Sequence, residues 1–265
     1  MKKTKEVQWS LAVFVVLSGV IALAPRAFAG DSGAEPLVTD RPDFTESAET
    51  VPQGRVQVET GVTVERTGEA RTRSWDGALL RVATGHRSEL RIGLPSYVRE
   101  RVASGASSGF DDAFLGAKFV LLKAEVGKPQ VALLVGSTLP TGSRRVGERK
   151  YQPEAVLAAG IEISDKVALG VNFGAVGSSS EGERFGQYFG SASLGCELYP
   201  NLGAFVEAYV FNRTEAGGRR QQYFDTGLTY LLNHDLQLDA RIGVGLANHV
   251  SGPDYFYGVG VSQRF

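Results

Sequence analysis

The chain has 265 residues, a net charge of −1 and a single cysteine, Cys196. The near-neutral balance excludes bulk electrostatic attraction to nucleic acid, and one cysteine excludes an internal disulfide. Glycine is abundant at 33 residues and methionine occurs once, a composition of low helical character.

The first residues read as an export signal. Lys2, Lys3 and Lys5 precede an apolar stretch from Leu11 to Ala24, and Ala27-Phe28-Ala29 forms a small-residue cleavage site. Residues 1–29 are therefore expected to be removed on export. The apolar stretch is broken by Ser18-Gly19 and falls short of the roughly 20 residues a spanning helix needs. Residues 30–54 follow without a strand pattern. Asp40, Arg41, Pro42, Asp43 and Glu46 make this segment polar and conformationally restricted.

From Arg55 onward apolar residues recur at every second position. Val56, Val58, Thr60, Val62 and Val64 alternate with Arg55, Gln57, Glu59, Gly61, Thr63 and Glu65. The same period runs through Leu90–Leu94, Ala113–Leu121, Ala155–Ile163, Val167–Ala175 and Leu236–Leu246. A helix would repeat at three and four residues instead. Less regular strands are expected over Ser74–Thr84, Gln130–Leu139, Gly186–Leu198, Leu202–Asn212 and Gln222–Leu232. With the C-terminal YFYGVGVSQRF the total is about twelve strands.

The connections alternate in length. Ser164-Asp165-Lys166, Tyr199-Pro200-Asn201 and Asn233-His234-Asp235 are short and rich in turn formers. Between them stand polar stretches expected to be long loops: Arg66–Arg73, Arg99–Gly109, Thr141–Gln152, Gly177–Arg184, Arg213–Arg220 and Ala247–Asp254. Short turns at one end and long loops at the other characterise outer-membrane barrels. An even strand count places both termini at the short-turn, periplasmic end.

Alternation alone also fits a soluble β-sandwich with its apolar face turned inward. Two features favour lipid. The less apolar face combines charge with glycine, and aromatics gather near strand ends at Tyr97, Phe110, Tyr151, Phe185, Tyr199, Phe211, Tyr223, Tyr255 and Phe265, as expected of interfacial girdles. In hydrocarbon every backbone polar group needs a protein partner, so the sheet must close on itself. The expected fold is all-β: a closed antiparallel transmembrane β-barrel over residues 55–265, in the bacterial outer membrane.

The stretches TDRPDFTES (Thr39–Ser47), LPTG (Leu139–Gly142), DTGLTYLL (Asp225–Leu232), LQLDARIGVGL (Leu236–Leu246) and PDYFYGVGVSQRF at the C-terminus carry a resemblance. Together they resemble the phenol meta-cleavage pathway transporter family of outer-membrane proteins, from about Val38 to Phe265. The resemblance implies a barrel that takes up small aromatic compounds, loosely related to barrels that pass fatty acids and aromatic hydrocarbons. Those transporters carry an N-terminal plug. By that analogy residues 30–54 enter the lumen, with Asp40, Arg41 and Asp43 paired to wall charges. The alternative is a periplasmic tether.

Side chains expected to line the lumen are Glu59, Arg81, Arg91, Lys118, Glu162, Glu197, Glu207, Asp225, Asp239, Arg241 and Arg264. Such a mixed-sign set either lines a selective pore or fills the interior with ion pairs. The connecting stretches hold an excess of base, including Arg66, Arg71, Arg73, Arg99, Arg101, Arg144, Arg145 and Arg149. They offer a surface for lipopolysaccharide phosphates, a funnel for anions, or an ordinary solvated surface.

His249-Val250-Ser251 resembles the His-x-Ser element of some outer-membrane lipid A deacylases, yet only Asp254 follows it as an acid. The stretch Ser251-Gly252-Pro253 reads more simply as a turn. No catalytic, metal or cofactor motif is recognised. The sequence thus points to a channel or transporter for small aromatic or hydrophobic molecules. The rival is a filled barrel with a structural or lipopolysaccharide-binding role, and a lipid hydrolase is the remote third reading. Expected partners are outer-membrane lipid and lipopolysaccharide, together with the barrel-assembly machinery acting on the C-terminal strand.

Overall fold

The computed structural model describes residues 36–246 and 252–265. The export signal and the His249/Ser251 pair lie outside them. Fourteen strand segments follow in chain order: β1 Val56–Thr67, β2 Ala70–Gly85, β3 Ser88–Gly93, β4 Tyr97–Val102, β5 Gly105–Phe110, β6 Ala113–Leu122, β7 Gln130–Leu139, β8 Gln152–Ser164, β9 Val167–Ser180, β10 Glu183–Tyr199, β11 Leu202–Phe211, β12 Gln221–Asn233, β13 Leu236–Gly245 and β14 Tyr255–Arg264.

Two pairs of segments each make one stave. β2 pairs with β3 through Leu79–Gly85 and with β4 through Arg71–Trp75, so β3 and β4 are one strand interrupted at Leu94-Pro95-Ser96. Pro95 cannot donate to a ladder. The interruption is stitched by the Gly77 N–H donating to Ser96 Oγ at 3.1 Å and by the Ser96 N–H donating to Asp111 Oδ1 at 2.5 Å. β5 and β6 likewise continue each other beside β4 and β3. Twelve antiparallel staves result, as expected.

The first and last staves close the wall. β1 and β14 run in unbroken register from Gln57 opposite Arg264 to Arg66 opposite Tyr255, leaving no open edge. The orientation of the faces separates barrel from sandwich. Ile242 and Val259 are 57% and 58% exposed, whereas the intervening side chains turn inward and Asn172, Asp225 and Ser262 are completely buried. The apolar face points outward, where only hydrocarbon can cover it.

Three of the expected long loops are extensions of the ladder. β1 turns into β2 at Gly68-Glu69, β4 into β5 at Ala103-Ser104, and β9 into β10 at Glu181-Gly182. Glu181 and Gly182 both have positive φ, 50° and 90°, which suits the tight turn of a twisted hairpin. Beyond the hydrocarbon the outward face needs no apolar side chains. The hydrophobic period therefore fades while the hydrogen-bonded ladder continues.

Candidate functional site

The interior is built by alternation and completed by residues 37–51. This segment has no regular secondary structure and touches the wall stave by stave. The Leu37 N–H donates to the His234 carbonyl in the β12–β13 turn at 3.0 Å. The N–H groups of Phe44 and Thr45 donate to Glu207 on β11 at 2.7 and 2.6 Å, and the Thr45 hydroxyl bonds the same carboxylate. The Glu46 N–H reaches Asn172 on β9 at 2.7 Å, Gln130 on β7 donates to the Ala48 carbonyl at 2.9 Å, and the Val51 N–H donates to Glu89 on β3 at 2.8 Å. Wall side chains thus satisfy backbone groups that no strand pairs.

Two adjacent residues of the segment meet opposite charges. Asp40 enters a basic cluster: Lys118 Nζ lies 3.1 Å from both its oxygens, Arg91 Nη1 2.5 Å and Arg81 Nη1 3.1 Å from Oδ2. Glu59 and Glu89 lie in the same cluster and accept from Arg81 at 2.9 Å each. Glu46 adds a bond from Arg91 Nη2 at 2.8 Å. Arg41 enters an acidic cluster, donating to Asp239 at 3.2 and 3.3 Å and to Asp76 at 3.0 Å. The three wall cations around Asp40 outnumber the two wall acids, so the segment supplies the missing negative charge. The pairing is mutual: each buried charge would be costly without its partner.

These surroundings set the protonation of the segment. Burial by itself would raise the Asp40 carboxyl, but Arg81, Lys118 and Arg91 hold it well below the usual carboxylate range. Burial, reinforced by Glu207, pushes Asp43 up to about 7. Burial also pushes Glu46 up to about 8, with Asp40 adding to the rise and Arg91 and Lys118 opposing it.

Every stave contributes a buried side chain to this part of the interior. Glu59, Arg81, Glu89, Lys118, Ala132, Ala158, Asn172, Ser191, Glu207, Asp225, Asp239 and Ser262 stand on β1, β2, β3, β6, β7, β8, β9, β10, β11, β12, β13 and β14, each at most 8% exposed. The cross-section is filled at this level.

Toward the long-loop end an aromatic lining takes over. Phe44 stacks on Tyr209 at 4.5 Å and meets Phe189 and Phe211 edge-on at 5.1 and 5.3 Å. Tyr209 stacks on Tyr223 at 5.0 Å, and Tyr223 meets Phe256 at 6.4 Å. Beside this lining Arg241 lies over the Phe256 ring at 5.3 Å and 4.0 Å from Asp225. Neither Asp225 oxygen nor Arg241 Nε has a hydrogen-bond partner among the described residues. A cluster of rings beside unsatisfied polar atoms suits a flat apolar ligand bearing a hydroxyl or carboxyl group.

Inward glycines give these side chains their room. A Cβ at Gly174 would meet the Phe189 ring, one at Gly227 the Phe205 ring, and one at Gly243 both Phe256 and Asp225. The glycine-rich inner face is therefore a set of sockets for rings on neighbouring staves.

Of the expected lumen residues, Glu59, Arg81, Arg91, Lys118, Glu207, Asp225, Asp239 and Arg264 are buried and Arg241 is half-buried. Arg264 is tied to Asp235 at 2.7 Å near the short-turn rim. Glu162 and Glu197 depart from the expectation. Both are exposed beside the β8–β9 and β10–β11 turns, outside the charge clusters, because the alternation continues past the depth that the segment fills. Asp40 and Arg41 pair with wall charges, whereas Asp43 sits near Glu207 rather than a cation. Glu89 and Asp76 were missed, although Glu89 shares the parity of Arg91. Three aromatics expected at the interface face inward instead: Tyr223 is buried, Phe211 packs on Phe44, and Phe185 shares the parity of Phe189. Strand ends place an aromatic near the interface in height but do not choose its face. Asp254, the acid that follows His249 and Ser251 in the chain, accepts the Gly68 N–H at 2.7 Å.

No curated sequence matches the chain. Among solved structures it resembles an outer membrane channel from Pseudomonas putida F1, at 15% identity and TM-score 0.64 over 86% of this chain and 100% of that one. It also resembles the NanC porin, at 9% identity and TM-score 0.53 over 78% and 98% of the respective chains. The KdgM porin in complex with oligogalacturonate follows at 10% identity and TM-score 0.52 over 80% and 99%. These likenesses agree with the closed barrel. A family model described as "Putative MetA-pathway of phenol degradation" matches residues 39–265, and the chain belongs to that family.

Proposed function

We propose that the protein is an outer-membrane channel for small aromatic molecules, held closed by its own residues 37–51. The carrying observation is the aromatic lining around Phe44, Tyr209 and Tyr223, which stands beside the unsatisfied Asp225 and Arg241 on the long-loop side of the filled cross-section. Rings bind through offset stacking and edge contacts, and the polar pair orients a hydroxyl or carboxylate. Passage then requires the segment to leave the charge clusters that seat it. Family membership and the channel and porin descriptions of similar barrels support this reading. We read the protein as a conduit rather than an enzyme, in line with the channel and porins that its barrel resembles.

Planar-bilayer recording tests the proposal. The intact chain should show rare openings, and a variant lacking residues 37–51 should conduct steadily. That current should be blocked by a small phenolic acid at concentrations where an aliphatic acid of equal charge has no effect. A deletion variant that folds yet stays silent would support the filled, structural barrel instead.

A further inference from the structure

The outer surface of the wall carries a basic patch that the channel reading does not use. On β2 and β4, Arg71 lies directly opposite Arg101 and Arg73 opposite Arg99. Alternation places all four outward. Arg73 and Trp75 are cross-strand neighbours of Val64 and Val62, which in turn oppose Tyr257 and Val259 on the exposed face of β14. Four like charges in two facing pairs repel one another, and the arrangement needs a counter-charge. Among the described residues Arg71, Arg73 and Arg101 have no ion pair. Arg71 reaches only the Tyr257 hydroxyl, at 3.5 Å, and Arg73 lies over the Trp75 ring at 5.5 Å. The acid of this strand, Glu100, alternates to the inner face. The four arginines line a cleft of about 100 Å³.

Immediately toward the membrane the same face becomes aromatic. Phe110, Tyr97 and Trp75 stand in one row across β5, β4 and β2, with ring centres 5.4 and 5.6 Å apart. An aromatic row marks the level where acyl chains give way to headgroups. The arginines lie one and two rungs beyond it, at the long-loop end.

We propose that this patch binds the phosphate groups of a phosphorylated glycolipid of the outer leaflet, the lipid A portion of lipopolysaccharide, with its acyl chains lying along Phe110, Tyr97 and Trp75. Guanidinium forks match phosphate oxygens bidentately, and the membrane supplies the counter-charge that Arg71, Arg73 and Arg101 lack among the described residues.

Trp75 provides the readout. In full-length protein carrying Trp9→Phe it is the sole tryptophan, and it adjoins Arg73. Detergent-folded protein is titrated with bisphosphorylated lipid A, with dephosphorylated lipid A and with inorganic phosphate while Trp75 emission is followed. Bisphosphorylated lipid A should shift the emission and bind at least about tenfold tighter than the dephosphorylated form. A variant with Arg71, Arg73, Arg99 and Arg101 all changed to Gln should lose that preference, whereas all four changed to Lys should retain much of it. A variant with Arg144, Arg145 and Arg149 changed to Gln, which removes three positive charges from a different connection, should bind as the parent does. Heat-modified gel mobility confirms that each variant is folded. Unchanged lipid A binding by the glutamine variant overturns the proposal. So does inorganic phosphate alone producing the full shift, since the patch would then be a soluble-anion site.

Discussion

Gly61 and Gly260 face each other across the β1–β14 seam, and the Arg41 guanidinium occupies the space that both leave empty. The seam that closes the barrel is thus also the seat of the segment that fills it. A Cβ at either position would collide with the guanidinium. Gly260→Ala should therefore leave the barrel folded while pushing Arg41 away from Asp239 and Asp76. Losing about 1.4 kcal/mol of seating would raise the open fraction roughly tenfold. Single-channel recording of this variant against the parent checks it, and unaltered gating would show that Arg41 does not hold the segment.

Asp40 is the other half of that seat. Asp40→Asn removes the charge that Arg81, Arg91 and Lys118 share. Removing one partner of a buried network costs about 3–5 kcal/mol, and here the loss falls on docking of the segment rather than on the ladder. Limited proteolysis should cut the variant near residues 40–50 far faster than the parent, while heat-modified mobility of the barrel stays the same.

The segment also confers a dependence on pH. Asp43 and Glu46 have raised pKa values, about 7 and about 8, so their contribution to seating is full below the ordinary carboxylate range and is lost as pH rises through those values. Asp40 is lowered, and its contribution is present above the ordinary range and lost only in strong acid. Seating is therefore tightest near the ordinary carboxylate range, and open probability should climb from about pH 4 and level off above about pH 8. Asp43→Asn combined with Glu46→Gln should flatten the climb.

Tyr209 joins Phe44 to Tyr223 through two stacked contacts, at 4.5 and 5.0 Å. Aromatic pairs contribute about 0.5–1.5 kcal/mol beyond their burial. Tyr209→Leu should accordingly raise the concentration of phenolic acid needed to block the opened channel by several-fold. Equal block in both proteins would place the ligand path elsewhere.

The outward face makes a prediction about location. Ile242 and Val259 are exposed on β13 and β14. Ile242→Arg placed against hydrocarbon should cost about 2–4 kcal/mol at mid-depth, measured by folding into bilayers under a urea gradient. A negligible cost would mean that this face does not meet lipid.

Much of this was written in the order of residues. Alternation through Val56–Glu65 or Leu236–Leu246 identifies strands, because a pleated strand sends successive side chains to opposite faces whatever surrounds it. The export signal, the short turns and the terminal strand then argue for a wall that closes. Period two says which residues share a face, and Glu59, Arg81, Arg91 and Lys118, which share one, are all buried. It does not say how deep a residue sits, so Glu162 and Glu197 share that side yet stand at the open rim. Nor does it say what lies opposite. That Asp40 and Lys118, 78 residues apart, share a buried ion pair follows only once twelve staves curve round and set distant strands face to face. Alternation is a local property of the backbone, but the charge balance of the interior and the basic patch outside depend on register and closure, which are made only when the sheet meets itself.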